Sequence, residues 1–207
     1  MSTNEDYLGM SVREFAAATA SKTPTPGGGS VAGAVASLGV ALGEMTLNFS
    51  KGKKKLAEHE EYYAHLGERL ERARAMFQQL VDDDVSAYKL YQASNKMEDG
   101  PEKDEQVQLA TAAAINVPRE VMKLALAVMD DMMELSGKCN TWLITDLMAS
   151  ATLCAAAIRL SDYNVRINLP SVADTDQAKE IGDASSADLA RAGELLDAIE
   201  KVGLAML

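Results

Sequence analysis

Pro24-Thr25-Pro26-Gly27-Gly28-Gly29-Ser30 leads directly into a small-residue apolar run from Val31 to Gly43. Two prolines stiffen the approach. Three glycines remove every Cβ from the turn, so the backbone can reach conformations and contacts closed to other residues. Ser30 stands where a helix N-cap is expected. The helix beyond it, from about Val31 to Asn48, carries small residues at Gly33, Ser37, Gly39 and Gly43. A helical glycine costs ~1 kcal/mol relative to alanine. The Gly39 to Gly43 spacing compensates by letting another helix come very close. Such a helix belongs in the centre of a bundle or at a subunit interface. The glycine turn offers backbone N–H groups and the positive end of a helix dipole, which is a place for an anionic group. It is equally a recipe for a tight turn.

The flanking sequence is helical on both sides. Ser11 and Glu14 have capping-box spacing and open a short helix to about Ser21. After the basic link Ser50 to Lys55, a helical pattern without proline runs from about Leu56 to Ser94. A polar loop from Asn95 to Pro101 precedes a helix from about Glu102 to Leu135, which Pro118 should kink or break. Another helix spans about Thr141 to Asn168. The last starts near Asp174, breaks near Gly182 and Asp183, and continues to about Val202. The prediction is an all-α single domain over residues 1–207, a bundle of about six helices with the long ones antiparallel.

Composition agrees and excludes several functions. The chain has 207 residues, 47% apolar and 5% aromatic, enough for one domain with a real core. The net charge of −11 argues against nucleic acid or an anionic membrane as the main partner. Met1 to Asp6 is polar and acidic, unlike a secretory signal. No uncharged apolar run reaches the length of a membrane span, Pro26 to Gly43 coming closest. Cys139 and Cys154 have the setting of buried thiols in a reducing compartment, so a cytoplasmic location is expected. His59 and His65, the only histidines, lie among glutamates. Neither a His/Cys zinc site nor a Ser-His-Asp triad is expected, and no metal or cofactor is assigned. Catalysis would run on carboxylates, lysines, amides and backbone donors.

One carboxylate stands where a leucine is expected. The long helix carries an apolar stripe at Leu66, Leu70, Ala73, Phe77 and Leu80, resuming at Tyr88 and Tyr91. Asp84 fills the gap, in line with Leu66. A carboxylate in an apolar stripe must be paired, protonated or facing a wet pocket, and that is how it gains a raised pKa and a role as acid or base. Asp82 and Asp83 flank it on other faces. The competing possibility is that all three form a solvated acidic patch. The helix after Cys139 repeats the device: Asp146, Ser150, Ser161, Asn164 and Asn168 share a polar face. That face is either a hydrogen-bond network between helices or the lining of a ligand cleft. Lys51, Lys53, Lys54 and Lys55 around Gly52 form the one basic cluster. It is a solvated turn or a seat for a ligand's carboxylates. Asn116-Val117-Pro118-Arg119 adds a freed carbonyl and a nearby amide, a weak signal alone.

In order along the chain, Pro24 to Ser30, Gly52 to Lys55, Leu80 to Tyr88, Val117-Pro118, Asn140 with Thr145-Asp146, and Asn164 to Leu169 resemble the cyclodeaminase/cyclohydrolase family of folate one-carbon enzymes. The resemblance covers about Val12 to Leu169. Thr145 stands where serine is common, which keeps the hydroxyl. The resemblance implies an all-helical homodimer that binds a tetrahydrofolate derivative as substrate in a cleft and needs no metal or redox cofactor. It places Asp82, Asp84, Lys53 and Asp146 in catalytic roles, without deciding which of Asp82 and Asp84 is the acid/base. It assigns Pro26, Gly27, Gly28, Gly29, Ser30, Gly52, Lys54, Asn140 and Asn164 to substrate binding. With no formiminotransferase sequence alongside, it favours a methenyltetrahydrofolate cyclohydrolase over a formimidoyltetrahydrofolate cyclodeaminase. A non-catalytic helical bundle that binds a ligand through the same polar faces is the alternative of another class.

Overall fold

A computed structural model describes residues 6–207, and every element in it is helical. The polar stretch before Asp6 lies outside the described residues. Helix α1 (Val12–Thr19) opens on the capping box between Ser11 and Glu14 and buries no residue. After it come α2 (Gly28–Asn48), α3 (Glu60–Ser94), α4 (Pro101–Ser136), α5 (Ile144–Asn168) and α6 (Thr175–Leu204). Short 3₁₀ turns at Lys54–His59, Thr141–Leu143 and Leu169–Ser171 lie before α3, before α5 and after α5.

Helices α2, α3, α4 and α5 close a ring in which each packs on its two neighbours, and α6 lies across α4 and α5. Neighbours in the ring run antiparallel. The first turn of α2 meets Asp84 near the end of α3, and Leu47 at its other end meets Gly67. The close approach inferred from the small residues of α2 is made inside the chain. A Cβ at Gly39 would lie 3.2 Å from the Ser150 carbonyl oxygen of α5, and one at Gly43 would lie 2.7 Å from Met132 Sδ of α4. Ser150 Oγ also donates to the Gly39 carbonyl at 2.6 Å. Tyr63, Leu66, Leu70 and Phe77 of α3 fill the ring against Met122, Met129 and Met132 of α4. At the α5–α6 seam, buried Asp162 accepts from Arg166 and from Ser185, both at 2.7 Å.

Three local expectations are corrected. The N-cap of α2 is Gly27, not Ser30. Ser30 sits inside the first turn, because its hydroxyl is drawn across to α3 instead of back onto its own helix. Pro118 does not break α4, whose helix is continuous from Pro101 to Ser136. Pro118, Ile115, Val121 and Met122 are all buried there, so core packing on both sides outweighs the missing N–H. Likewise α6 runs unbroken through Gly182 and Asp183. Gly182 is where α6 lies close on Leu169: a Cβ there would be 3.2 Å from Leu169 Cδ1. Gly28–Asn48 and Thr141–Ser171, each with mean hydropathy 1.5, are long and apolar enough to cross a membrane by length and composition, although each carries charged side chains such as Glu44 and Asp146. They are α2 and α5 with its flanking turns, and they pack on each other in the ring.

Candidate active site

The glycine turn holds a carboxyl group, and that carboxyl is the protein's own. Asp84 reaches from α3 to the first turn of α2, where its Oδ2 accepts from Ser30 Oγ at 2.7 Å. Gly29 makes room for it: a Cβ there would stand 2.6 Å from Asp84 Cγ. No other residue can occupy position 29 with the carboxylate in place. The Asp84 carboxyl is pushed up from the ordinary carboxylate range, first by burial; the Ser30 hydroxyl and the Ser30 backbone N–H pull the other way. A carboxylate seated on a helix N-terminus is stabilised as an anion, yet desolvation wins. The result is a half-buried group held in one place and poised to exchange a proton.

The turn is braced from outside the motif. Tyr7, which is buried, donates its hydroxyl to the Thr25 carbonyl at 3.1 Å. Pro26 is buried and the Thr25–Pro26 bond is cis. Asn164 of α5 faces Gly28 across the mouth of the turn, where a Cβ would be 3.6 Å from its amide nitrogen. Its Nδ2 donates to the Leu160 carbonyl at 2.9 Å, which fixes the amide beside Gly28. Gly28, Gly29, Ser30, Asp84 and Asn164 therefore converge.

Asp82 does not join them. Its carboxyl is also pushed up, by burial and then by the charges of Asp6 and Asp83. Two residues from Asp84 on the same helix, it points to another face, toward the segment that precedes α1. Asp83 accepts from Gln79 at 3.1 Å, one turn back on α3. The three adjacent aspartates are neither one cleft nor one solvated patch: each meets different surroundings.

The remaining residues gather at the opposite end of α2. Lys53, Lys54 and Lys55 line a cavity of about 290 Å³ together with Leu56, Cys139, Asn140 and Thr141. Asn140 is fixed there because its N–H donates to Ser50 Oγ at 2.8 Å and its Nδ2 to the Phe49 carbonyl at 3.3 Å. Gly52, the only glycine with positive φ among the described residues, donates its N–H to Glu60 at 2.6 Å. Asp146 lies in the first turn of α5, half-buried, at this same end. A helix of the length of α2 spans about 30 Å at 1.5 Å per residue. Within one chain, Gly52, Lys53, Lys54, Asn140 and Asp146 therefore cannot share a cleft with Asp84 and the glycine turn. The polar face of α5 divides for the same reason. Asp146 lies at the lysine end, Ser150 is spent on α2, the Ser161 hydroxyl is buried without a partner, and Asn164 reaches the glycine end.

Comparison with known proteins adds chemistry to this geometry. Residues 11–187 match the family described as formiminotransferase-cyclodeaminase. A methenyltetrahydrofolate cyclohydrolase of Methylorubrum extorquens is 28% identical over 193 residues, covering 91% of this chain and 93% of that protein. A formimidoyltransferase-cyclodeaminase of Dictyostelium discoideum is 28% identical over 194 residues, which are 90% of this chain but 36% of that longer protein. The crystal structure of a formiminotetrahydrofolate cyclodeaminase of Thermotoga maritima superposes with a TM-score of 0.87 at 27% identity, covering 94% of this chain and 96% of that one.

Proposed function

The chain belongs to the formiminotransferase-cyclodeaminase family of folate enzymes, and from that premise we propose that it is a methenyltetrahydrofolate cyclohydrolase in which Asp84 is the general acid/base. The observation that carries this is the seating of Asp84 on Ser30 over Gly29, with its carboxyl raised by burial. The near full-length match to a cyclohydrolase supports it.

The reacting carbon of methenyltetrahydrofolate lies between two nitrogens and shares their delocalised positive charge. An ionised Asp84 attracts that cation and takes a proton from a water adding to the carbon. Once protonated, it returns the proton to the departing nitrogen as one C–N bond breaks, while the hydroxyl of the adduct releases its proton to solvent and becomes the formyl carbonyl of 10-formyltetrahydrofolate. General acid–base help of this kind is worth about 10²–10⁴-fold. Ser30 holds the carboxylate in position, and the Asn164 amide and the glycine backbone orient the ring system. Asp82, facing elsewhere, takes no part in proton transfer. No metal or redox cofactor enters this scheme.

The lysine end enters through a second copy of the chain. Leu38, Met45 and Phe49 are exposed at helical spacing along α2, Trp142 is exposed in the turn before α5, and Tyr163 and Ile167 are exposed near the end of α5. An apolar surface of this extent marks an interface. A two-fold axis across the middle of α2 would lay the two copies of this face together antiparallel. The Lys53, Lys54, Asn140 and Asp146 end of one copy would then lie against the Asp84 end of the other. The lysines would take the substrate's glutamate carboxylates, and the homodimer would carry two such clefts.

Formimidoyltetrahydrofolate cyclodeaminase is the second reading, favoured by the Thermotoga maritima structure. It uses the same carbon centre, with ammonia leaving as the ring closes. Purified protein given methenyltetrahydrofolate should consume the methenyl chromophore faster than the spontaneous rate. Appearance of that chromophore from the formimidoyl substrate, with ammonia released, would favour the second reading. Activity on neither would reject both and leave the non-catalytic bundle. For the dimer, Asp84→Asn and Lys53→Ala chains are mixed under conditions where subunits exchange. Recovery of turnover above that of either variant alone supports a shared cleft, and its absence in proven heterodimers rejects it.

A further inference from the structure

Trp142 is the chain's single tryptophan. At 88% it is the most exposed large apolar side chain among the described residues. Its backbone explains how it is held there. Thr141–Leu143 is one 3₁₀ turn, and three residues per turn send successive side chains to three different sides. Leu143 is buried in the core, Thr141 lines the lysine cavity, and Trp142 takes the remaining side, toward solvent. The turn is pinned on both flanks of the indole. Asn140 Oδ1 accepts from the Trp142 N–H at 3.3 Å, and the Asn140 N–H donates to Ser50 Oγ at 2.8 Å. Thr46 Oγ1 donates to the Leu143 carbonyl at 3.5 Å. A fixed backbone thus presents a large aromatic surface to water, which is the arrangement of a recognition platform rather than of a core residue.

The place of the indole suggests what it recognises. Its turn borders the cavity lined by Lys53, Lys54, Lys55 and Asn140. Among the described residues no aspartate or glutamate lines that cavity, although the chain carries 31 of them. Asn140 and Trp142 are two residues apart, so their Cα atoms lie within about 7 Å of each other. In a folate, one amide joins the glutamate to a p-aminobenzoyl ring. Standard bond lengths put that ring about 5 Å from the nearer carboxylate. A folate whose carboxylates reach these lysines therefore brings its benzoyl ring to the rim where the indole stands.

We propose, resting on the folate reading above, that Trp142 stacks on the substrate's p-aminobenzoyl ring while the lysines hold the glutamate tail. Two aromatic faces in offset contact need no hydrogen bond, so the contact is the same before and after the methenyl bridge opens. Trp142 then binds substrate and transition state alike, and contributes to KM rather than to kcat. In the proposed homodimer this end of one copy faces the Asp84 end of the other. The benzoyl ring would lie between the tail held by one copy and the reacting carbon held by its partner.

Because Trp142 is the only tryptophan, its fluorescence in the intact protein reports on this contact alone. The probe is p-aminobenzoylglutamate, which carries the ring and the tail but no pterin. It should quench the indole emission in a saturable way and shield it from acrylamide, whereas glutamate at the same concentration should do neither. In methenyl turnover, Trp142→Ala should raise KM about tenfold or more with kcat close to that of the unaltered chain, and Trp142→Phe should recover most of the loss. Both variants should keep the unaltered unfolding midpoint, since the side chain is exposed. An unchanged KM in Trp142→Ala overturns the proposal. So does a protein that turns over methenyltetrahydrofolate while the fragment leaves the indole emission untouched. A Trp142→Ala chain that sediments as a monomer where the unaltered chain is a dimer would assign the indole to the subunit contact and overturn it as well. No turnover and no fragment binding by the unaltered protein would reject the folate reading itself, and the stacking with it.

Discussion

Replacing Gly29 by alanine drives a methyl group into the Asp84 carboxylate. The new Cβ would start 2.6 Å from Asp84 Cγ, whereas unstrained carbon contacts lie near 3.5–4.0 Å. The carboxyl group must retreat by about 1 Å, because position 29 is held in the helix and cannot yield as easily. The Ser30 Oγ to Asp84 Oδ2 separation, now 2.7 Å, would grow to about 3.7 Å, beyond hydrogen-bond range. Loss of a hydrogen bond to a charged group costs about 1.5–3 kcal/mol, and the helix propensity gained from Gly to Ala offsets up to ~1 kcal/mol. The net loss is about 1–2 kcal/mol, a fall of a few degrees in Tm. Catalysis suffers far more, since a displacement of about 1 Å in a reacting group costs about 10²-fold. Thermal unfolding and the methenyl chromophore assay on the same preparation separate the two effects. A Gly29→Ala protein with full turnover would refute the claim that Asp84 works from this seat. A collapse in stability matching the loss of turnover would return Gly29 to a purely structural role. By contrast Gly28→Ala, whose Cβ would meet only an ordinary contact at 3.6 Å, should fold close to the unaltered chain.

Three more outcomes rest on the same contacts. Because burial raises the Asp84 pKa in the folded state, folded protein keeps this proton at pH values where an unfolded aspartate, near about 3.9, has lost it. Stability from this group is therefore greatest below the unfolded value, falls as pH rises to the folded value, and is flat above it. The stability of Asp84→Asn relative to the unaltered chain should climb across that window in urea unfolding at a series of pH values; a difference independent of pH would contradict a raised Asp84. Ser30→Ala removes a donor that pulls the Asp84 pKa down, so the acidic limb of the pH–rate profile should move to higher pH. Gly43→Leu, with Met132 Sδ already 2.7 Å from a Cβ, should overpack the α2–α4 contact and cost about 1–3 kcal/mol or more in urea unfolding.

Much of the fold is legible in the sequence because it rests on periodicity. The capping box at Ser11, the stripe from Leu66 to Leu80, and the misfit of Asp84 within it all depend on local spacing, and local spacing survives folding. Gly39 and Gly43 are readable for a similar reason: a helix tolerates such glycines only against a close neighbour. Pro118 and Gly182 mislead because propensity is a local cost, and the packing that overrides it comes from residues distant in sequence. Ser30 misleads in the same way, as a good N-cap residue whose hydroxyl finds a better acceptor 54 positions away. Tyr7 gives no signal at all, since a lone tyrosine near the start of a chain does not reveal that it braces Thr25. The largest difference concerns the site itself. Motif order places Lys53, Asn140 and Asp146 with Asp84, but order along a chain says nothing about which end of a helix each motif occupies. The length of α2 separates them within one chain.

Turnover of methenyltetrahydrofolate by Asp84→Asn, measured beside the unaltered chain with folding checked by circular dichroism, bears most directly on Asp84 as the acid/base. Asparagine keeps the shape of the side chain and the Ser30 hydroxyl as a neighbour, and removes the charge that attracts the cation together with the ability to accept and return a proton. The expected result is a folded variant whose kcat falls by about 10²–10⁴-fold, while Asp82→Asn keeps most of its rate. A folded Asp84→Asn protein that hydrolyses the substrate at the unaltered rate would contradict it.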